Sequence, residues 1–397
     1  RRCLEMYEAW IGEYPYTEFS VVSSPTPTGF GMPTLTYLGI DVLQLPFIRD
    51  TSLGHEVLHN WWGNGVYPDY ASGNWSEGLT TFMADYAYKE QESSEAAREM
   101  RLGWLRDFAA LQPGQDAPLT AFTSRTHSAS KIVGYNKAAM LFFMLRDHLG
   151  EAVFRLSIQG LWGVQRFKMT SWQQLQKMFE MVSGKNLQPF FTQWLERSGA
   201  PSIHMSQVKS IPVDAGHELT ITLNQSVPAY DLRVPVAIQS EGKTDMHWFD
   251  LHQQQQTFAL TLPEKPLSVS LDPDLRLFRQ LAPNEAPPIL REVMVNSATE
   301  TVLLSDHAET RKTAETLASN LSPRPDEIQA KGSAQAWTLA RSDGASLALV
   351  SAQDAASLEA LIRPLPHYGR QSYIAFDGRQ AIEKGVWPMR VQKVMVE

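Results

Sequence analysis

Thr51-Ser52-Leu53-Gly54-His55-Glu56-Val57-Leu58-His59-Asn60-Trp61-Trp62-Gly63-Asn64 is the stretch that decides how the chain folds. On a helix, positions i and i+4 share one face a turn apart, so the imidazoles of His55 and His59 can reach a single metal ion. Glu56 lies beside them, outside the ligand set. With ten histidines in 397 residues, an accidental His-Glu-x-x-His is expected only roughly 0.02 times in a chain of this composition. A catalytic zinc site takes three protein ligands and leaves a position for water, which the ion acidifies to a pKa near ~7. Glu56 is placed to take that water's proton. The third ligand is expected from a second helix. Asn74-Trp75-Ser76-Glu77-Gly78-Leu79-Thr80 opens one, with Ser76 as N-cap and Glu77 as the carboxylate ligand. The competing reading makes His55 and His59 satisfied core histidines and Glu77 a first-turn acid favoured by the helix dipole.

Outward from this stretch, apolar residues recur at three- and four-residue spacing in Leu4 to Ile11, Thr80 to Tyr88, Leu102 to Leu111 and Ala138 to Leu149, which predicts helices. One β-like run, Phe19 to Ser23, interrupts them. After Pro201 the texture alternates, as in Leu219 to Leu223, Val234 to Ile238 and Phe258 to Leu262, which reads as a β-sandwich. A Pro-rich joint, Ala282 to Pro288, leads to a third region. There, strands near Thr301 to Leu304, Trp337 to Ala340, Leu347 to Val350 and Tyr373 to Phe376 alternate with helices near Glu309 to Leu321 and Ala355 to Ile362. The domain limits read as 1–200, 201–282 and 283–397. The chain is 43% hydrophobic and carries a net charge of −8 with no basic cluster, so nothing supplies the footprint of a nucleic-acid binder. The single Cys3 excludes an intrachain disulfide. No run reaches the ~18 apolar residues of a membrane span.

Several segments, in matching order, resemble the M1 family of zinc metallopeptidases. They are Leu4 to Glu8 and Tyr14 to Tyr16, Phe19 to Pro25, Gly29-Phe30-Gly31-Met32, the His-Glu-x-x-His stretch, Trp61-x-Gly63-Asn64 and Glu77-Gly78. Tyr135-Asn136-Lys137-Ala138-Ala139 is similar to the family's catalytic tyrosine segment, and Phe190 to Leu195 to the end of its helical domain. The resemblance implies a multidomain architecture. A mainly α, thermolysin-like catalytic domain would be followed by an all-β sandwich, with a small α/β domain of unknown role after it. It implies one zinc ion per chain held by His55, His59 and Glu77, with Glu56 as general base and then proton donor. Tyr135 would donate to the oxyanion, and a peptide would be the substrate. An aminopeptidase is the family expectation. The alternatives are an endopeptidase or other hydrolase on the same zinc scaffold, and a non-catalytic zinc-containing peptide-binding protein.

Two departures bear on this. Asn60 to Ser76 supplies seventeen residues where the family has eighteen, a change that a loop absorbs. The family's aminopeptidase motif continues from Met into Glu and Asn, whereas Met32 is followed by Pro33 and Thr34, so the carboxylate that anchors a free amine is missing. Gly29, Gly31 and Met32 remain substrate-binding candidates as an extended edge, or form a glycine-rich turn. Trp61, Trp62 and Trp75 read as packing of the metal helix. Thr80 and Thr81 read either as supports for a ligand or as packing residues. His127 reads as a solvated loop histidine or a substrate contact, and Arg311, Lys312 and Arg341 as a solvated face. Arg1 opens directly on a helical pattern, which suggests a fragment lacking the family's N-terminal β domain. An exported or periplasmic location is then favoured over the cytoplasm. Oligomeric state and side-chain preference are not legible.

Overall fold

Tyr7, the apolar centre of the first amphipathic stretch, ties the start of the chain to the metal-binding motif. It lies in α1 (Arg2–Trp10) and is fully buried, and its hydroxyl donates to the Gly54 carbonyl at 3.0 Å. The computed structural model describes residues 2–25, 29–40, 52–111, 114–126, 128–294, 296, 299, 332–340 and 346–396. The expected strand 301–304 and helix 309–321, and His127, Arg311, Lys312 and Arg341, lie outside the described residues. The chain divides into two compact units: Arg1–Phe108 with Pro113–Gln280 and Val391–Glu397, and Ala109–Gln112 with Leu281–Arg390.

In the first unit, α1 is followed by a three-stranded sheet of β1 (Ser20–Ser24), β2 (Gly29–Met32) and β3 (Leu35–Gly39). β3 lies in the middle, parallel to β1 and antiparallel to β2, which leaves β2 at an edge where it packs on α2 (Ser52–Leu58). Of these strands the residue pattern predicted β1 alone. The loop after α2 is fixed by a short parallel pairing of β4 (Tyr67–Pro68) with a later strand at Met169–Thr170.

Next come α3 (Ser76–Thr80), a π-helical segment (Thr81–Tyr86), α4 (Ala87–Glu92) and α5 (Ser94–Ala109). A second π-helical segment, Ile132–Lys137, joins α6 (Ser128–Lys131) to α7 (Ala138–Leu149). The first eight residues of α7 are all buried, which makes it the central helix of the unit. Each fully buried Leu or Phe there contributes about 1.5–3 kcal/mol relative to exposure. α8 (Glu151–Gln165), β5 (Met169–Thr170), α9 (Trp172–Ser183) and α10 (Gln188–Glu196) complete the helical part. A capping box opens α9: Ser171 Oγ accepts from the Gln174 N–H, and Gln174 Oε1 from the Ser171 N–H.

The alternating stretches after Pro201 form two antiparallel sheets. β6 (Ile203–Val213), β7 (Gly216–Gln225) and β10 (Gln255–Leu262) make one, with β7 central. β8 (Leu232–Ser240), β9 (Lys243–Leu251) and β11 (Ser268–Leu271) belong to the other, whose edge is closed by residues Lys393–Met395. Leu219, Ile221 and Leu223 of β7 and Val234, Val236 and Ile238 of β8 are buried. The Phe249 and Phe258 rings meet at 4.9 Å between β9 and β10. Arg276 clamps Asp147 of α7 with two hydrogen bonds of 2.8 and 2.6 Å.

The second unit holds α11 (Leu290–Met294), β12 (Ala334–Ala340), β13 (Ser346–Ala352), α12 (Ala355–Leu361), β14 (Tyr373–Asp377) and β15 (Gln380–Gly385). The strand order is β13-β12-β14-β15 and every pair is antiparallel. The links from β12 to β13 and from β14 to β15 are far shorter than the dozen or more residues that a parallel crossover requires. Leu290, Ala334, Ala336, Leu361, Ile374 and Phe376 form its core. Among the described residues no helix is long and apolar enough to cross a membrane.

Candidate metal centre and active site

α2 places His55 and Glu56, and the helical turn that continues it places His59, whose N–H bonds the His55 carbonyl at 3.2 Å. Glu77 arrives from the first turn of α3. His55 Nε2 and His59 Nε2 lie 3.5 and 3.3 Å from Glu77 Oε2, and ligand atoms of the three residues all fall within 4.8 Å of one another. Four ligands at ~2.0–2.1 Å around a tetrahedral zinc ion sit about 3.3 Å apart, so the spacing suits such an ion. Among the described residues Glu77 Oε2 is buried without a hydrogen-bond partner, an orphan that a cation would satisfy. The protonation pattern fits as well. His55 Nδ1 donates to Asp85 Oδ2 at 2.7 Å and His59 Nδ1 to the Trp62 carbonyl at 2.9 Å, leaving both Nε2 atoms to face Glu77.

Two close approaches assemble the rest. Gly78 is packed so tightly on α7 that a Cβ would lie 2.2 Å from the Ala138 Cβ, which brings Glu77 to the π-helical segment bearing Tyr135. The Tyr135 ring stacks on His55 at 6.1 Å with an interplanar angle of 11°. Gly31 of β2 lies over the general-base candidate: a Cβ there would be 2.7 Å from Glu56 Oε2. Gly29 and Met32 share that edge strand, and Met32 is exposed.

Charges follow from burial and proximity. Burial lifts the Glu56 carboxyl above its ordinary range, and His55 and His59 pull it partly back. Burial opposes the Glu77 charge, yet the two histidines hold its carboxyl well below the usual range. Burial opposes protonation of both histidines, but Asp85 and Glu77 raise His55 well above the usual imidazole value, and Glu77 raises His59. Burial and then the Glu77 charge push the Tyr135 phenol far up, so it stays a hydrogen-bond donor at neutral pH.

One local expectation is corrected, and the two alternatives for Thr80 and Thr81 are weighed by their partners. Ser76 is not the N-cap: it is the first helical residue, and Asn74 Oδ1 accepts from its N–H at 3.0 Å and from its Oγ at 2.7 Å. Thr81 does not support the Glu77 carboxylate, because its Oγ1 donates to the Glu77 backbone carbonyl at 2.8 Å. Thr80 Oγ1 is buried without a hydrogen-bond partner among the described residues. Trp61, Trp62 and Trp75 are fully buried, as packing requires, and Trp75 Nε1 donates to the Thr170 carbonyl at 2.7 Å.

Asp85 and the Trp62 carbonyl had gone unread. In a pure α-helix a residue eight positions after Glu77 is rotated about 80° from it, whereas Thr80 and Thr81, three and four positions on, are its helical neighbours. The π-helical segment turns through fewer degrees per residue and removes most of that offset. No spacing rule announces a π turn.

Residues 50–194 match the family model described as "Peptidase family M1 domain". Aminopeptidase N of Escherichia coli is 27% identical over 208 residues, covering 48% of this chain and 23% of that protein. Tricorn protease-interacting factor F2 of Thermoplasma acidophilum is 23% identical over 248 residues, covering 57% and 30%. A crystal structure of Legionella pneumophila aminopeptidase A in complex with aspartic acid superimposes with a TM-score of 0.54 at 16% identity, over 80% of this chain and 38% of that one. The matched span is thus under a third of the length of these two sequence relatives.

Proposed function

We propose, from the match of residues 50–194 to the peptidase family M1 model, that the chain is a zinc-dependent peptidase of that family, an aminopeptidase in the manner of its relatives. The observation that carries the proposal is the convergence of His55, His59 and Glu77 around the orphaned Glu77 Oε2. When bound, zinc supplies a Lewis acid that polarises a carbonyl and lowers the pKa of water. The chain's own groups do the rest. Glu56, its carboxyl lifted above the ordinary range by burial, accepts a proton from the attacking water and passes it to the leaving amine. Tyr135, kept protonated, donates its O–H to the oxygen that becomes negative as the carbonyl is attacked; a single such donor contributes about 3 kcal/mol. β2, an edge strand above Glu56, offers backbone N–H and C=O groups to an extended peptide.

Replacing Glu56→Gln tests this reading. Hydrolysis of a short unblocked peptide should fall by about 10²- to 10⁴-fold while bound zinc, measured per chain, is retained. An unaltered rate returns the chain to the class of non-catalytic zinc-containing peptide binders.

One observation favours a second reading, cleavage of internal bonds. β2 ends in the turn Met32-Pro33-Thr34-Leu35, where Thr34 takes a φ of 66° and its N–H donates to Asn60 Oδ1 at 3.0 Å. A left-handed non-glycine costs about 1 kcal/mol, so the Asn60 anchor holds a turn with no carboxylate where a free amine would be gripped. Matched peptides with free and N-acetylated termini separate the two readings: faster cleavage of the acetylated peptide identifies an endopeptidase.

A further inference from the structure

The segment from Leu119 to Thr126 is built against both halves of the site. The Asn74 N–H donates to the Phe122 carbonyl at 2.7 Å and Asn74 Nδ2 to the Thr123 carbonyl at 3.0 Å, which pins the segment to the loop that delivers Glu77. The buried Phe122 ring meets Tyr135 edge-on at 6.1 Å and covers Gly134, where a Cβ would lie 2.1 Å from the ring. On the far side the Thr126 N–H donates to Ser130 Oγ at 3.0 Å. Arg125 lies between these two anchors, exposed, and makes no ion pair among the described residues. The charged groups that act on the Tyr135 phenol are Glu77 and Glu56, both negative, and Arg125, the one cation among them.

A guanidinium with no ion pair among the described residues, carried on a backbone braced against the Glu77 loop and the Tyr135 segment, is suited to one class of group, because its planar fork matches a carboxylate. Building on the peptidase reading, we propose that Arg125 is a specificity-determining residue that receives a carboxylate of the peptide substrate. That carboxylate belongs either to the chain terminus or to an acidic side chain.

The test uses two matched pairs of unblocked tripeptides: one sequence as free acid and as C-terminal amide, and one amide carrying Glu or Gln. For the pair whose carboxylate is bound, kcat/KM of the unsubstituted protein should favour the acid about fivefold, as an exposed charge pair does. The ratio should fall to about one in Arg125→Ala and be partly restored in Arg125→Lys. The difference should appear in KM rather than kcat. The same four peptides are also titrated calorimetrically into Glu56→Gln, with and without Arg125→Ala. A preference for the carboxylate that depends on Arg125, found without hydrolysis by any form, leaves this assignment standing and removes the peptidase reading. Equal ratios with and without Arg125 in both pairs, or no carboxylate preference in binding, overturn the assignment whatever the rate of hydrolysis.

Discussion

Asp85, outside the proposed ligand set, is hydrogen-bonded to one of its members. Its carboxylate accepts a hydrogen bond from the His55 Nδ1–H at 2.7 Å, which orients the ring and, once the imidazole is neutral, turns the lone pair of the opposite nitrogen toward Glu77. Asp85→Asn keeps the size but removes the charge and offers an amide that can turn its N–H₂ toward the imidazole. Zinc affinity, read by competition with a chromophoric chelator, should fall about 10- to 100-fold. A fall of less than about twofold would mean that His59 and Glu77 hold the ion without help from this contact. His55, Glu56, His59 and Glu77 are legible in the sequence because metal chemistry constrains residue type and local spacing together. Tyr135 needed a family resemblance as well, since a lone tyrosine before an apolar helix announces nothing. Asp85 was hidden because the wide turn that aims it leaves no periodic trace.

At the scale of elements, Gly78 decides how closely α3 approaches α7. In an exposed helix interior Gly→Ala stabilises by up to about 1 kcal/mol. At Gly78 the new methyl would stand 2.2 Å from the Ala138 Cβ and 3.1 Å from its backbone carbon, so the helices must part. Overpacking of this kind costs about 1–3 kcal/mol, which outweighs the helix gain. Gly78→Ala should therefore lower the urea midpoint and weaken zinc binding, because Glu77 moves with the helix. Gly103, inside α5, has nothing among the described residues within 4 Å of where a Cβ would stand. Gly103→Ala should raise the midpoint, and the same sign for both variants would refute this account of the contact. Helices such as α1 and α7 were readable from apolar spacing. β2 and β3 were not, since four- and five-residue strands rich in glycine, threonine and tyrosine lack a clean alternation.

At the scale of the whole molecule, long-range pairing escapes the sequence: Lys393–Met395 closes the sheet of β8, β9 and β11, although more than a hundred residues separate it from β11. Within the first unit the proposed metal site is expected to couple to folding through protons. In the metal-free protein, Glu77 and Asp85 raise His55, and Glu77 raises His59. A raised imidazole stabilises the fold fully below its unfolded pKa and ceases to do so as pH rises through the folded value. Glu77 runs the other way: its depressed carboxyl contributes above its unfolded pKa and loses that contribution only as pH falls through the lower folded value. From mildly acidic to mildly alkaline pH, Glu77 is therefore constant and the histidines titrate. Zinc needs both imidazoles neutral, so it competes with protons at the acid end and replaces a vanished stabilisation at the alkaline end. The difference in Tm between zinc-loaded and chelator-treated protein should widen as pH rises across this range. At a free zinc concentration of ~1,000 times Kd the added stability is about 4 kcal/mol, worth several degrees in a unit of this size. Calorimetry in buffers of different ionisation enthalpy should show proton release on zinc uptake, larger at the acid end. A Tm difference that is flat or narrows with pH would show that the bound ion does not displace protons from His55 and His59.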